Sequence, residues 1–225
     1  MKKNSLLIIL VVIACCSLHS TNKEEAEPKN SCLYIKSRSF YNPIEYQRII
    51  SKEKYNCLEF GNDLEWAFDT ITNFPLKKSI IKIDGYSCGV SDKGLIFFNQ
   101  FINLKNLDIS NNYISNLSYL HKLDFLLDLD LSYNSNIDLS IFFTNYKNSN
   151  IEVLDLSSCN LLELPKEICN LTNLESLAIS DNHLKELPEC LCNLRELKYI
   201  LVDDNDSLII SNELRKGRLV EPLKN

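Results

Sequence analysis

The residue types that could carry covalent or acid–base chemistry are few in this chain and scattered. The three histidines are His19, His121 and His183, and no spacing sets one of them between a nucleophile and an orienting carboxylate. There is no glycine-rich phosphate loop and no His-Glu metal motif. Among the nine cysteines, Cys190 and Cys192 form a Cys-x-Cys pair, too short and too solitary for a zinc site of four ligands. No catalytic residue, resident metal or cofactor is therefore expected. The cysteine whose surroundings do suggest chemistry is Cys15, at the end of an apolar run.

That run reads as an export signal. Lys2 and Lys3 precede an uncharged stretch of nine residues, Leu6 to Ala14, and a polar segment follows. Nine residues are too few to cross a bilayer, which needs roughly 20. Val12-Ile13-Ala14-Cys15 resembles the lipobox of bacterial lipoproteins, with Val12 in place of the commoner leucine. The resemblance implies cleavage before Cys15 and acylation of that residue. Cys16 follows where many bacteria place an aspartate for inner-membrane retention, so the outer membrane or cell surface is expected, with ordinary secretion as the alternative. Residues 16 to about 30 are polar, contain Pro28, and suit a tether that holds a domain off a membrane.

The rest of the chain has the composition of a folded protein, 45% hydrophobic and 24% charged. Its net charge of −6 argues against nucleic acid as a partner. One pattern then repeats five times. It places Leu104, Leu107, Ile109 and Asn112 at fixed offsets, and the same offsets hold Leu126, Leu129, Leu131 and Asn134. They recur at Ile151, Leu154, Leu156 and Cys159, at Leu174, Leu177, Ile179 and Asn182, and at Leu197, Ile200, Val202 and Asn205. Successive copies start 22, 25, 23 and 23 residues apart. Alternating apolar residues suit a short strand with one buried face, and an asparagine can satisfy both backbone donors and acceptors where the chain turns away.

This pattern resembles the leucine-rich-repeat family. The resemblance implies an α/β fold: a curved right-handed solenoid with a parallel sheet on its concave side, an asparagine ladder and an irregular N-terminal cap. Cys159 is then a ladder residue. Pro165 and Pro188 recur in the return arm, where a fixed φ suits a turn or short extended segment better than a long helix. Degenerate copies are expected at Tyr55, Leu58, Phe60 and Asp63, and at Lys78, Ile81, Ile83 and Tyr86. The expected organisation is a signal over 1–14, an attachment site and tether over 15–30, a cap with degenerate repeats over 31–103, repeats over 104–215, and a tail over 216–225. Trp66 reads as cap core. Cys169 and Cys192 lie 23 residues apart at equivalent positions, which admits either a disulfide between coils or two reduced thiols.

In this family the concave face usually binds. Its candidate residues here are Asp108, Asp128, Asp130, Tyr133, Asp155, Tyr199, Leu201 and Asp203. Asp108, Asp130 and Asp155 occupy one position in successive repeats, so they stack about 5 Å apart and repel unless solvated or met by a cation. Such a column either attracts a Lys- or Arg-bearing protein or is common filler of these repeats. The expectation is a non-catalytic, membrane-anchored module that binds a protein partner. The alternative is an intracellular scaffold or a regulatory subunit of an enzyme such as a phosphatase.

Overall fold

The computed structural model describes residues 32–35, 55–60, 78–121, 123–135, 137–145, 150–216 and 219–221. The signal, Cys15, the tether, Asp63 and Trp66 lie outside the described residues.

Among the described residues, nine short strands form one sheet in chain order, every neighbouring pair parallel. They are β1 (Cys32–Ile35), β2 (Cys57–Phe60), β3 (Lys82–Asp84), β4 (Asn106–Asp108), β5 (Asp128–Asp130), β6 (Val153–Asp155), β7 (Ser176–Ala178), β8 (Tyr199–Leu201) and β9 (Leu219–Glu221). Register follows the repeat. Leu107 pairs with Leu129, Leu129 with Leu154, Leu154 with Leu177 and Leu177 with Ile200. Each of these residues is at most 1% exposed, because it points into the coil and touches its equivalents above and below.

The return arms are short. 3-10 helices cover Lys93–Gln100, Leu117–Tyr119, Lys166–Asn170 and Glu189–Asn193. Pro165 and Pro188 stand immediately before the last two, with φ of −66° and −55°. The longest repeat has room for an α-helix, α1 (Ser140–Asn145), and α2 (Asn212–Arg215) follows the last copy. Phe60, Phe97, Phe98 and Phe101 pack edge to face near the N-terminal coils, with centroids 5.2–5.9 Å apart.

The degenerate copies hold one correction. Leu58 pairs with Ile83, and Ile83 with Leu107. Tyr55, Leu58 and Phe60 therefore lie in the register read from sequence, whereas the copy read as Lys78, Ile81, Ile83 and Tyr86 is displaced by two residues. The residues in register are Ile80, Ile83, Gly85 and Cys88. Tyr86 is 43% exposed. Glycine hides this copy because there is little room for an apolar side chain. A Cβ on Gly85 would come within 3.3 Å of the Asp108 carbonyl oxygen and 3.6 Å of the Ile109 side chain.

The ladder has a donor half and an acceptor half. Asn182 Oδ1 receives the Cys159 and Leu161 amides at 3.1 and 2.9 Å, while its Nδ2 donates to the Leu156 carbonyl at 2.9 Å. Asn112 repeats this with the Cys88 and Val90 amides and the Gly85 carbonyl. Asn134 and Asn205 each bind across coils in the same two ways. Two cysteines stand in this row. Cys159 Sγ donates to the Leu131 carbonyl at 3.3 Å, and Cys88 Sγ to that of Phe60 at 3.6 Å. Burial, with nearby aspartates adding to it, pushes the thiols up to about 11 and about 12, so both keep their proton and donate. Each cysteine replaces the donor half of an asparagine and has only weakly accepting sulfur for the other half.

Before each ladder residue the chain takes a left-handed step, at Ser87, Asn111, Tyr133, Ser158, Asp181 and Asp204, with φ between 52° and 57°. Tyr133 is the bulky member of this series.

Disulfides join Cys32 to Cys57 and Cys169 to Cys190. The pairing of Cys169 with Cys192 is therefore not formed. Equivalent residues of stacked coils leave in the same direction, whereas a 3-10 helix turns about 120° per residue. Cys190, two residues before Cys192, points back to the preceding coil, where its Sγ also lies 3.5 Å from the Lys166 carbonyl.

Candidate functional site: the open face of the sheet

Between the buried leucines, two columns of side chains cross the open face of the sheet. One runs through Glu59, Asp84, Asp108, Asp130 and Asp155, each paired in register with the next, and continues as Ala178 and Leu201. The other runs through Lys82, Asn106, Asp128, Val153, Ser176 and Tyr199. The face is acidic over β2–β6 and uncharged over β7 and β8. Sequence reasoning missed Glu59 and Asp84. Asp84 falls in the copy that Gly85 disguises, and the signal that finds it is Cys88, a ladder substitute four residues on.

The carboxylates are held by their own turns. Asp108 Oδ1 receives the Ser110 amide and hydroxyl at 2.9 and 2.6 Å, and Asp130 Oδ1 receives those of Ser132 at 2.9 and 2.7 Å. Asp155 Oδ1 receives the Ser157 amide at 2.8 Å. Asp128 Oδ2 accepts from Asn106 Nδ2 at 3.2 Å. Asp130, in the middle of the column, has its carboxyl raised by burial, and Asp108 and Asp155 push it further the same way against the Ser132 bonds. A cation placed on the column would relieve that repulsion.

Asp108, Asp128, Asp130, Asp155 and Leu201 are half-buried on this face, and Tyr199 is 47% exposed there. Two residues are placed differently from the sequence expectation. Tyr133 lies in the left-handed turn at the rim, 58% exposed, on the same edge as exposed Tyr86 and Tyr113. Asp203 follows β8 at the position of Ser110 and Ser132, and its Oδ2 is buried without a hydrogen bond. In the coils of β4 and β5 a serine at this position donates its hydroxyl to the strand aspartate two residues earlier, whereas Asp203 is itself an acceptor and Leu201 stands in the aspartate's place.

His121 and His183 are exposed and belong to different coils. One group of side chains among the described residues, Cys32, Cys57 and Glu59, converges closely enough for a metal ion. Its two sulfurs are joined in a disulfide, which removes them as thiolate ligands.

Parallel strands stacked at this period, with a ladder residue closing each of β3 to β8, decide the fold. It is a leucine-rich-repeat solenoid. The leucine-rich-repeat family model matches residues 149–206. An internalin of Listeria monocytogenes is similar in structure, with a TM-score of 0.54 and 17% identity over 80% of this chain and 53% of that one. Internalin C2 of the same organism gives 0.53 and 20% identity over 70% of each chain. A chain of the Drosophila Toll–Spatzle complex gives 0.60 and 14% identity over 81% of this chain and 25% of its own. The chain thus spans about half the length of the first of these. No curated protein matches it in sequence. Repeats of this family generally mediate contacts between proteins, and at these identities the likeness establishes the fold alone.

Proposed function

We propose that the chain is a non-catalytic, lipid-anchored module on the outside of a bacterial membrane, where it takes a basic protein partner on the open face of its sheet. The observation that carries the reading is the acidic column, five carboxylates in adjacent strands, beside the uncharged surface of Tyr199 and Leu201. Charge depletion with aromatic residues is what the centre of a protein interface favours, and a charged flank speeds association. Disulfides over two pairs of coils suit an oxidising compartment and so support export rather than an intracellular scaffold. Cys15 supplies the anchor in this reading. Among the described residues no helix is long and apolar enough to cross a membrane. The same architecture occurs in the Listeria internalins and in the Toll–Spatzle complex, and the latter is itself an assembly of proteins.

The test compares wild type with the triple variant Asp108→Asn, Asp130→Asn and Asp155→Asn, measuring affinity for a partner captured by the full chain, at two salt concentrations. Charges on the face are screened beyond about 8 Å at physiological ionic strength, so wild type should bind more weakly as salt rises. The variant should bind more weakly throughout and lose that response. Equal binding with no salt response would refute recognition by these acids. Anchoring is tested separately: labelled palmitate should enter wild type and not Cys15→Ala.

A further inference from the structure

Past the end of each strand the repeats use small or polar residues. The second residue after the strand is Ser110, Ser132, Ser157 or Ser180 in four coils, and the third is Ser87, Asn111, Ser158, Asp181 or Asp204 in five. Three tyrosines depart from this filling. Tyr86 stands where the next coils have serine, Tyr133 where its neighbours have asparagine and serine, and Tyr113 at the place of Gly89 and Ser135. Each occupies a different offset, so none is a consensus residue of the repeat, whereas the aspartates of the column recur at one offset. All three nonetheless fall on one rim of three consecutive coils, those of β3, β4 and β5, and Tyr86, Tyr113 and Tyr133 are 43%, 77% and 58% exposed.

The rings are carried on fixed backbone. The Tyr86 amide donates to Asp84 Oδ1 at 3.1 Å, and the Tyr86 hydroxyl oxygen accepts from Asn111 Nδ2 of the next coil at 3.4 Å. The Tyr113 amide donates to the Val90 carbonyl at 3.0 Å, beside a parallel bridge between Ser91 and Tyr113. The Tyr133 amide donates to the Ser157 carbonyl at 2.9 Å, with φ of 57° in the region that suits glycine or asparagine. Burial is not what holds an aromatic ring at that position, because more than half of it faces solvent. Rings on a rim this constrained lose little conformational freedom when a partner covers them.

The surface beside the rim is anionic. The strands that lead to it carry Asp84, Asp108, Asp128 and Asp130. The lysines of these coils' open face, Lys82 and Lys105, stand at the opposite ends, where β3 starts and just before β4. The face of an aromatic ring attracts cations, and a guanidinium gains more here than an ammonium. It is flat and weakly hydrated, so it stacks on a ring while its edge N–H groups remain available to a carboxylate. An ammonium is a compact, strongly hydrated charge that answers mainly to the carboxylates.

We propose that Tyr86, Tyr113 and Tyr133 form an arginine-selective rim of the open face, where guanidinium groups of the partner protein stack on the rings and donate to the carboxylates of β3–β5. The proposal rests on the reading of that face as the site of a basic protein, and it names the cation the site prefers.

The probes are fluorescent Gly-Arg-Gly-Arg-Gly-Arg-Gly and its lysine counterpart, titrated against the full chain by anisotropy at two salt concentrations. The rim variant carries Tyr86→Ser, Tyr113→Ser and Tyr133→Ser, the residue that other coils hold at each of these positions. Wild type should bind both peptides more weakly as salt rises, and should favour arginine roughly fivefold to tenfold through exposed cation–π contacts. The rim variant should bind the lysine peptide as wild type does, which also reports that it is folded, and should lose the preference for arginine. Phenylalanine at the three positions should keep the preference. The aspartate-to-asparagine triple variant should weaken both peptides and lose the salt response. Equal binding of the two peptides by wild type, or an arginine preference that survives in the rim variant, would overturn the proposal and leave the acidic face standing as a site for cations. Absence of salt-dependent binding for either peptide would refute that reading and the proposal with it. A neutral cello-oligosaccharide should not displace the arginine peptide; displacement would assign the rim to carbohydrate and overturn the proposal.

Discussion

Replacing Asn182 tests whether the ladder works through separate donor and acceptor halves. The side chain is 2% exposed. Asn182→Ala leaves the Cys159 and Leu161 amides without their acceptor, and the Leu156 carbonyl without its cross-coil donor. A buried group left unsatisfied costs about 1–3 kcal/mol, so the alanine variant should lose about 3–5 kcal/mol. Asn182→Cys keeps a donor for the carbonyl, as Cys159 and Cys88 do, and leaves only the amides poorly served. It should lose about 1–3 kcal/mol. The assay is urea unfolding followed by far-UV circular dichroism, with the slope of the transition checked to be common to the three proteins. Stability should fall in the order asparagine, cysteine, alanine. Equal losses for cysteine and alanine, or no loss for alanine, would refute the division of labour.

Tyr133→Gly should raise stability by about 1 kcal/mol, because φ of 57° is strained for a tyrosine and free for glycine; a lower urea midpoint would show that the ring packs usefully at the rim. The raised Asp130 carboxyl predicts a sign: the folded chain holds that proton more tightly than the unfolded one, so this residue's contribution becomes more favourable as pH falls through the carboxylate range. Asp130→Asn should remove this dependence and be neutral or stabilising at pH 7, and a thermal melt at several pH values decides it. Cys190→Ser should lower stability by about 3 kcal/mol through loss of the disulfide to Cys169, while Cys192→Ser should change it little; the reverse order in non-reducing melts would reassign the pair.

The five regular repeats were legible because their buried leucines and ladder residues recur at fixed offsets, and periodicity is the part of a solenoid that sequence records directly. The copy around Ile83 was not, because Gly85 occupies an apolar position under a packing constraint from the neighbouring coil. With it went Asp84 and the ladder role of Cys88. The aspartates of β4–β6 could be placed on the open face from spacing alone. Tyr133 and Asp203 could not, since both sit in the turn beyond the strand, where a left-handed residue ends the alternation that assigns faces. The disulfide of Cys169 to Cys190 was not read, because one-repeat spacing draws the eye to Cys192 and says nothing of the direction in which a side chain leaves a 3-10 helix.

The most direct test of the central claim, that the open face of the sheet is where a protein partner is held, is site-specific photo-crosslinking in cells that make the full chain. A photoreactive residue at Ser176, on the open face, is compared with one at Ile96, exposed on the helical side. The account expects a discrete protein adduct from position 176 that disappears when Asp108, Asp130 and Asp155 are replaced by asparagine, and none from position 96. An adduct from position 96 alone, or one from 176 that persists unchanged in the triple variant, would contradict it.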